Sequence, residues 1–130
     1  MRRELTLSTA PIHEATLVAA QKMSAGMGAA VYFTGVVRGT EESQTIDAID
    51  YETFREMAEH QFHKLFDEME RRWPTIESAR LVHRLGVVRV NEPSLWLEII
   101  APHRPEAFAA AQWLIDEMKR TVPIWKRPQP

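Results

Sequence analysis

The amino-acid sequence predicts an α+β fold, in which two long amphipathic helices pack against a largely antiparallel sheet. The first observation is hydrophobic periodicity, since apolar residues recur at the helical repeat over 54–73 and again over 105–121. The second is a series of short runs rich in β-branched and aromatic residues, separated by glycine, asparagine or proline at hairpin-like spacing. With 130 residues, the chain is predicted to form a single domain over 1–130.

Each of the two long helices is indicated by an apolar stripe and by a proline near one end. In the first helix, apolar side chains recur within an arc of about 120° around the axis, and Pro74 is predicted to end the helix. The members of this stripe are Phe54, Ala58, Phe62, Leu65, Phe66, Met69 and Trp73. The second helix is predicted to begin near Pro105, because proline is favoured in a first turn, and to end near Thr121. Its stripe consists of Phe108, Ala111, Ile115, Met118 and Val122.

A shorter helix and a set of strands complete the predicted secondary structure. The helix is expected over 13–23, because glycines at 26 and 28 break the pattern that follows. The run at 45–53 is interpreted as a strand returning after the polar loop 39–44, and the tail 125–130 is expected to be irregular. The remaining strand-like runs are 4–7, 29–37, 79–85, 87–90 and 95–101.

The charge balance and the absence of cysteine exclude several functional classes. The net charge of −2 gives the whole molecule no electrostatic basis for binding nucleic acid or an anionic membrane. Without cysteine, the chain has no disulfide, no thiolate metal site and no persulfide carrier, so any sulfur that it handles arrives on another molecule. No apolar segment of the signal-peptide type follows the N-terminal residues, and a cytoplasmic location is the simplest expectation.

A cationic turn precedes the second long helix. The segment Pro102-His103-Arg104-Pro105 places a histidine and an arginine where a helix N-terminus favours acidic residues. A bound anion would remove this conflict, because the free N–H groups of a helix N-terminus are suited to phosphate. The alternative is that Arg104 points to solvent and His103 only closes a loop. Arg38, which follows an apolar strand, is a further candidate for binding phosphate, or it simply marks the exit from that strand.

Lys119 is a candidate for a reactive side chain. On a helical wheel it lies about 20° beyond Phe108, at the edge of the apolar stripe, which predicts partial burial. Burial and neighbouring cations would favour the neutral amine. The competing interpretation is that a lysine in the last turn interacts with the helix dipole and reaches into solvent. Lys126 and Arg127, next to Trp125, form either the rim of a pocket or a solvated terminus.

The other histidines give no indication of a metal site. His60 and His63 are one helical turn apart, but both fall opposite the apolar arc and beside acidic residues, so they are expected to face solvent. His83 and Arg84 lie in a strand-like run and are interpreted as structural or as part of a subunit contact. No phosphate-binding loop, dinucleotide-binding motif or serine-hydrolase motif is present.

Several of these segments, in the same order, resemble the large (catalytic) subunits of molybdopterin synthases. Residues 28–38 are similar to the family's strand-and-arginine segment, Tyr51-Glu52 with Met57-Ala58 to its YE…MA signature, and His83-Arg84-Leu85-Gly86 to its HR-x-G strand. His103-Arg104 with Ala107-Phe108 matches HR-x-x-AF, and Lys119 with Pro123, Trp125 and Lys126 matches K-x-x-x-P-x-W-K. The resemblance covers about residues 28–127.

The resemblance implies a fold and an activity. The implied fold is an α/β hammerhead with an additional antiparallel sheet. Members of the family transfer sulfur to cyclic pyranopterin monophosphate (precursor Z), which forms the dithiolene of molybdopterin. The sulfur comes from the C-terminal thiocarboxylate of a small ubiquitin-like subunit, whose Gly-Gly tail enters a pocket of the large subunit. A homodimer of large subunits forms the core of a heterotetramer, and no cofactor or metal is implied.

By this resemblance, Lys119 and Lys126 are the catalytic lysines. The residues expected to hold the substrate are Val36, Val37, Arg38, His103, Arg104 and Arg127. The chain departs from the family pattern at Pro128, where an acidic residue is common, and at Val36, where lysine or threonine is frequent. Two alternatives stand beside the enzyme. One is a non-catalytic adaptor of the same fold that docks a ubiquitin-like tail, and the other is a small-anion-binding module without a protein partner.

Overall fold

The computed structural model describes residues 1–130 as two long helices, one short helix and nine strands. The helices are α1 (Glu14–Ala19), α2 (Arg55–Arg72) and α3 (Arg104–Thr121). The strands are β1 (Arg2–Ser8), β2 (Ala29–Val36), β3 (Thr40–Glu41), β4 (Gln44–Thr45), β5 (Ala48–Thr53), β6 (Ser78–Arg84), β7 (Gly86–Arg89), β8 (Pro93–Ala101) and β9 (Ile124–Gln129). None of the helices has the combination of length and hydropathy that a membrane span requires.

The main sheet has four strands in the order β1-β6-β8-β2. Strand β1 runs parallel to β6, whereas β6 and β2 both run antiparallel to β8. Side chains alternate between the two faces of a strand. On one face, Leu95, Leu97 and Ile99 of β8 pack into the main hydrophobic core with the buried sides of α2 and α3. Burial of each such side chain stabilises the fold by about 1.5–3 kcal/mol, so this layer holds the helices on the sheet.

The opposite face of the sheet contains a buried ion pair. Nε of Arg80 donates to Glu98 at 2.6 Å and a second guanidinium nitrogen donates to the same carboxylate at 2.8 Å. Glu98 is 0% exposed and Arg80 is 4% exposed. The guanidinium also lies 4.9 Å from the ring centroid of Trp96 and donates to the carbonyl of Leu17 in α1 at 2.7 Å. Helix α1 buries none of its own residues, so polar contacts of this kind attach it to the sheet.

A second, three-stranded antiparallel sheet has the order β7-β5-β9. It encloses a smaller core formed by Val37, Ile46, Ile49, Tyr51 and Val88. The short hairpin β3–β4 lies between β2 and β5 in the chain. This second sheet brings the C-terminal strand β9 next to the end of α3, and it forms one wall of the cavity described below.

The two long helices and most strands lie where the sequence predicts them, but three expectations in the first half of the chain are wrong. Helix α1 ends at Ala19 instead of residue 23, because Ser24 leaves the helical path to bind Glu77. The predicted return strand 45–53 is divided between the end of β4 and the strand β5. Its apolar residues are buried in the second core, so β5 pairs with β7 and β9. The polar loop 39–44 contains strand β3 and the start of β4.

The tail and one member of an apolar stripe also differ from expectation. Residues 124–129 form the edge strand β9, which pairs antiparallel with β5 instead of being irregular. Its side chains are mostly exposed and it contains Pro128, which an edge strand tolerates, so it carries no alternating apolar pattern. Phe108 is 60% exposed, because the buried side of α3 consists of Ala107, Ala110, Ala111, Leu114 and Met118.

Substitution of Glu98 by glutamine is expected to be strongly destabilising. It would leave the buried Arg80 guanidinium with only the exposed Glu4, 4.0 Å away, as an acidic partner, at a cost of about 3–5 kcal/mol in the free energy of unfolding. Urea unfolding at neutral pH measures the change. The double variant Arg80→Met/Glu98→Met is expected to recover most of the loss, because it removes both charges together. Glu68→Gln, which breaks exposed ion pairs within α2, serves as the control. A Glu98→Gln variant as stable as that control would contradict the prediction.

Candidate functional site

A cavity of about 420 Å³ lies where the main sheet, the second sheet and the end of α3 meet. Its walls are mostly apolar, and its polar side chains are those of a tyrosine, a histidine, a serine and two lysines. No aspartate or glutamate lines it. The lining residues are Phe33, Gly35, Val36, Tyr51, His83, Ser94, Leu95, Met118, Lys119, Val122, Ile124 and Lys126. A volume in the range of small-molecule sites, with two lysines and no carboxylate in the lining, favours an anionic ligand.

The register of the strands explains why these side chains meet. In the main sheet, Leu95 of β8 is paired with Gly35 on one side and with His83 on the other. In the second sheet, Tyr51 of β5 is paired with Lys126 of β9. Paired residues project from the same face of an antiparallel sheet. The two ladders therefore place His83, Tyr51 and Lys126 around one space.

The two lysines reach the cavity from different elements. Lys119 comes from the last turn of α3, and Lys126 from β9, where its Nζ lies 3.9 Å from Glu41 of the β3–β4 hairpin. The Lys126 side chain is 50% exposed, and Lys119 is also exposed. The expectation that Lys119 is half-buried is wrong, because the apolar stripe on which it rested does not include Phe108 at its buried edge. Lys119 lies at the mouth of the cavity and not within the core.

A chain of polar side chains forms the buried end of the cavity. The hydroxyl of Tyr51 donates to Ser94 Oγ at 3.3 Å, and Ser94 donates in turn to the carbonyl of Gly35 at 3.4 Å. The ring of His83 meets that of Tyr51 edge-on, with 5.1 Å between centroids. Burial lowers the pKa of His83 below 6.5, and the charge of Lys126 acts in the same direction. Burial also raises the pKa of Tyr51 above 10.

Sequence reasoning did not place Tyr51, Ser94 or His83 in the cavity. In the sequence, Tyr51 stands out only through the family resemblance, and His83 is interpreted as structural or as part of a subunit contact. The available signal was a histidine within an otherwise apolar strand, which is an unusual position for a polar ring. That signal does not say which cavity the strand borders, because the answer depends on the pairing of β6 with β8.

Three of the predicted substrate-binding residues lie near the cavity without lining it. Val37 is 2% exposed in the second core, its N–H donates to the carbonyl of Glu92, and its carbonyl accepts from Asn91. Its backbone groups are therefore unavailable to a ligand. Arg38 is exposed beyond the end of β2. Arg127 follows Lys126 on β9 and so projects from the opposite face, where it lies 3.1 Å from Glu52.

His103 and Arg104 lie at the other end of the main sheet. They line a separate cavity of about 410 Å³ with Gly28, Pro102 and Pro105. Six strand positions separate the pair Gly35–Leu95 from the pair Ala29–Ala101, next to this turn, which corresponds to roughly 20 Å. A single chain therefore does not bring Arg38, His103 and Arg104 together as one anion site. The N-terminus of α3 also has an acidic partner, since Glu106 accepts from the backbone N–H of His103 at 2.8 Å.

Comparisons with known proteins identify the family. The chain matches the family model described as MoaE protein over residues 7–121. It is 39% identical over 100 residues to the molybdopterin synthase catalytic subunit of Thermoplasma volcanium, an alignment that covers 77% of this chain and 72% of the relative. It is 37% identical over 100 residues to the molybdopterin synthase catalytic subunit of Drosophila mojavensis. That alignment covers 77% of this chain, which spans only 27% of the length of this relative.

Two solved structures have the same fold. The crystal structure of molybdopterin synthase from Staphylococcus aureus superimposes with a TM-score of 0.83 at 29% identity, covering 96% of this chain and 88% of the other. A complex of subunits 1 and 2 of the molybdopterin-converting factor from Helicobacter pylori gives a TM-score of 0.77 at 20% identity, covering 97% and 83%. The predicted mixed fold, with its additional antiparallel sheet, is confirmed by the first of these. The resemblance noted in the sequence is likewise confirmed, and the chain belongs to the MoaE protein family.

Proposed function

We propose that this protein is the catalytic subunit of a molybdopterin synthase. It transfers sulfur from the C-terminal thiocarboxylate of a small ubiquitin-like subunit to cyclic pyranopterin monophosphate. The observation that carries the proposal is the convergence of Lys119 and Lys126, from α3 and β9, on one cavity without a lining carboxylate. An adaptor that only docks a tail needs neither lysine at the reacting end of that tail.

The apolar walls of the cavity and its two lysines suit the two parts of a thiocarboxylate tail. Its apolar walls, among them Phe33 and Leu95, can enclose a slender Gly-Gly segment that has no side chains. Lysine ammonium groups only donate hydrogen bonds, so Lys119 and Lys126 can hold the anionic terminal group and stabilise negative charge on its oxygen. The chain contains no cysteine, and under this proposal the partner supplies the sulfur and no cofactor is needed.

We further propose a homodimer in which a second copy completes the substrate site. His103 and Arg104 lie at the start of α3 and Lys119 lies in its last turn, so roughly 22 Å of helix separates the cationic turn from this lysine. A substrate of pterin size cannot touch both groups within one chain. A second copy can place its cationic turn against the cavity, where Arg38 lies near the open edge strand β2. The phosphate of the substrate is then held by groups from both chains.

Lys119→Ala is expected to lower sulfur transfer by on the order of a hundredfold or more, the scale of losing an acid–base group. Its fold is expected to remain intact, because the side chain is exposed. Lys119→Arg is also expected to fail, since a guanidinium keeps the charge but does not release its proton. Formation of molybdopterin from precursor Z and thiocarboxylated partner measures both. The matched controls are Lys64→Ala and Lys64→Arg on the exposed side of α2. If Lys119→Arg turns over normally, Lys119 acts through its charge alone and not through proton transfer.

Deleting the last two glycines of the small subunit is expected to abolish turnover and to weaken its binding. The deletion withdraws the terminal group from the lysines and the tail from the apolar walls. Titration calorimetry with the intact and the shortened partner measures the affinity, and the sulfur-transfer assay measures the rate. Equal affinity and equal rate for the two partners would place the contact elsewhere on this chain.

Mixing two inactive variants distinguishes a shared site from a site within one chain. Lys119→Ala and Arg104→Ala homodimers are each expected to be inactive. After subunit exchange, each mixed dimer contains one intact site, with Lys119 from one copy and Arg104 from the other. Statistical exchange then restores roughly a quarter of the wild-type sites. Native mass spectrometry verifies the exchange, and the sulfur-transfer assay reports the activity. No recovery after verified exchange would show that both residues act within one chain.

A further inference from the structure

His83 is the one imidazole among the side chains that line the cavity. It lies in β6 and is 6% exposed. The charged and titratable groups that face it come from three other elements. They are Tyr51 of β5, Lys119 of α3 and Lys126 of β9, the last of which lies 3.9 Å from Glu41. None of the groups that contribute to the cavity wall is a carboxylate, so no counter-ion in the wall stabilises a charged imidazolium.

The hydrogen bonding of His83 determines which ring nitrogen is free. Its Nδ1 lies 2.8 Å from the carbonyl oxygen of Arg84, which can only accept, so Nδ1 carries the proton and donates it. Nε2 then holds a lone pair and has no partner within the chain. The side-chain nitrogens that have neither solvent contact nor a hydrogen-bond partner are Nε of Arg2 and Nε of Arg84. Nε2 of His83 is not one of them, so it is accessible from the cavity. The ring therefore presents an acceptor to whatever occupies this space.

The other lining side chains do not offer an equivalent base. Lys119 and Lys126 are exposed ammonium groups that hold the anionic end of the tail in the proposed function, and an ammonium must lose a proton before it can accept one. Tyr51 donates its proton to Ser94, and Ser94 donates to the carbonyl of Gly35, so both hydroxyls are already engaged. The burial that lowers the pKa of His83 keeps its ring neutral near pH 7, which leaves the lone pair available. Among the groups that line the cavity, Nε2 of His83 is therefore the one that is free to accept a proton.

We infer that His83 is the general base that activates water to release the sulfur from the small subunit after it has bonded to the substrate. This inference rests on the proposed function. Once the thiocarboxylate sulfur bonds to a substrate carbon, a thioester joins the two molecules. A water oxygen attacks the acyl carbon while Nε2 takes a proton from that water. The carbon–sulfur bond then breaks, its electron pair leaves with sulfur, and Nε2 returns the proton to the sulfur. The products are a substrate thiol and the carboxylic acid of the small subunit, which ionises into solvent.

The test is a single-turnover reaction of the His83→Asn variant with thiocarboxylated partner and precursor Z. An asparagine amide nitrogen takes the place of Nδ1 and keeps a donor towards Arg84, but it supplies no base. Intact-mass analysis of the partner follows the reaction. We expect the covalent partner–substrate adduct to form at the wild-type rate and then to persist. Its hydrolysis is expected to slow by on the order of a hundredfold or more. His60→Asn, an exposed histidine of α2, is the matched control and is expected to behave as wild type.

The acid side of the pH profile supplies a readout that a structural role would not change. Because the pKa of His83 is lowered from 6.5, the wild-type hydrolysis rate is expected to be level near pH 7 and to fall in more acidic solution. The His83→Asn variant is expected to lack this fall. His83→Gln, examined by the same two measurements, provides a second variant if asparagine disturbs folding.

The possible outcomes separate the inference from the function on which it rests. An adduct that persists in the variants and is hydrolysed by wild type supports the role of His83. Wild-type hydrolysis rates in a folded variant, or an unchanged acid limb, overturn it and leave the proposed function standing. If wild-type protein forms neither adduct nor molybdopterin, the proposed function itself fails.

Discussion

Strand β8 is buried on both of its faces, and the positions of the other elements depend on that burial. Its helix-facing side chains, Leu95, Leu97 and Ile99, hold α2 and α3 against the sheet. Its other side carries Glu98, which is stable there only because Arg80 of β6 pairs with it. The same strand begins at the cavity and ends at the cationic turn before α3. One fully enclosed strand thus determines both the layering of the fold and the separation between its two polar regions.

The candidate site depends on register as much as on composition. Lys126 reaches the cavity because it is paired with Tyr51, and its neighbour Arg127 faces away. A slip of β9 by one residue would exchange the two cations and bring Arg127 to the cavity, since side chains alternate along a strand. A lysine can act as an acid or a base, whereas a guanidinium cannot. The pairing of an exposed edge strand therefore decides what chemistry this wall can support.

Much of the fold could be predicted from the sequence, because burial leaves a periodic signal. Phe62, Phe66 and Met69 recur at the helical repeat and are all buried in α2. Strand β9 left no such signal, since its side chains are mostly exposed and its pairing with β5 depends on distant residues. Periodicity makes Lys119 a candidate but predicts its burial wrongly, and the catalytic assignment of Lys119 and Lys126 rests on the resemblance to the family's motifs. The placement of His83, and the distance between Arg38 and Arg104, follow from strand register, which the sequence pattern does not specify.

The contact between Arg80 and the carbonyl of Leu17 links a surface helix to the centre of the sheet. Helix α1 has no buried residue of its own, so its local opening would ordinarily cost little free energy. Opening it here removes an acceptor from a buried guanidinium, and hydrogen bonds to charged groups contribute about 1.5–3 kcal/mol. The amides of α1 should therefore exchange with solvent more slowly than their exposure suggests. Local opening of α1 therefore also removes a hydrogen bond from the arginine of the buried Arg80–Glu98 ion pair.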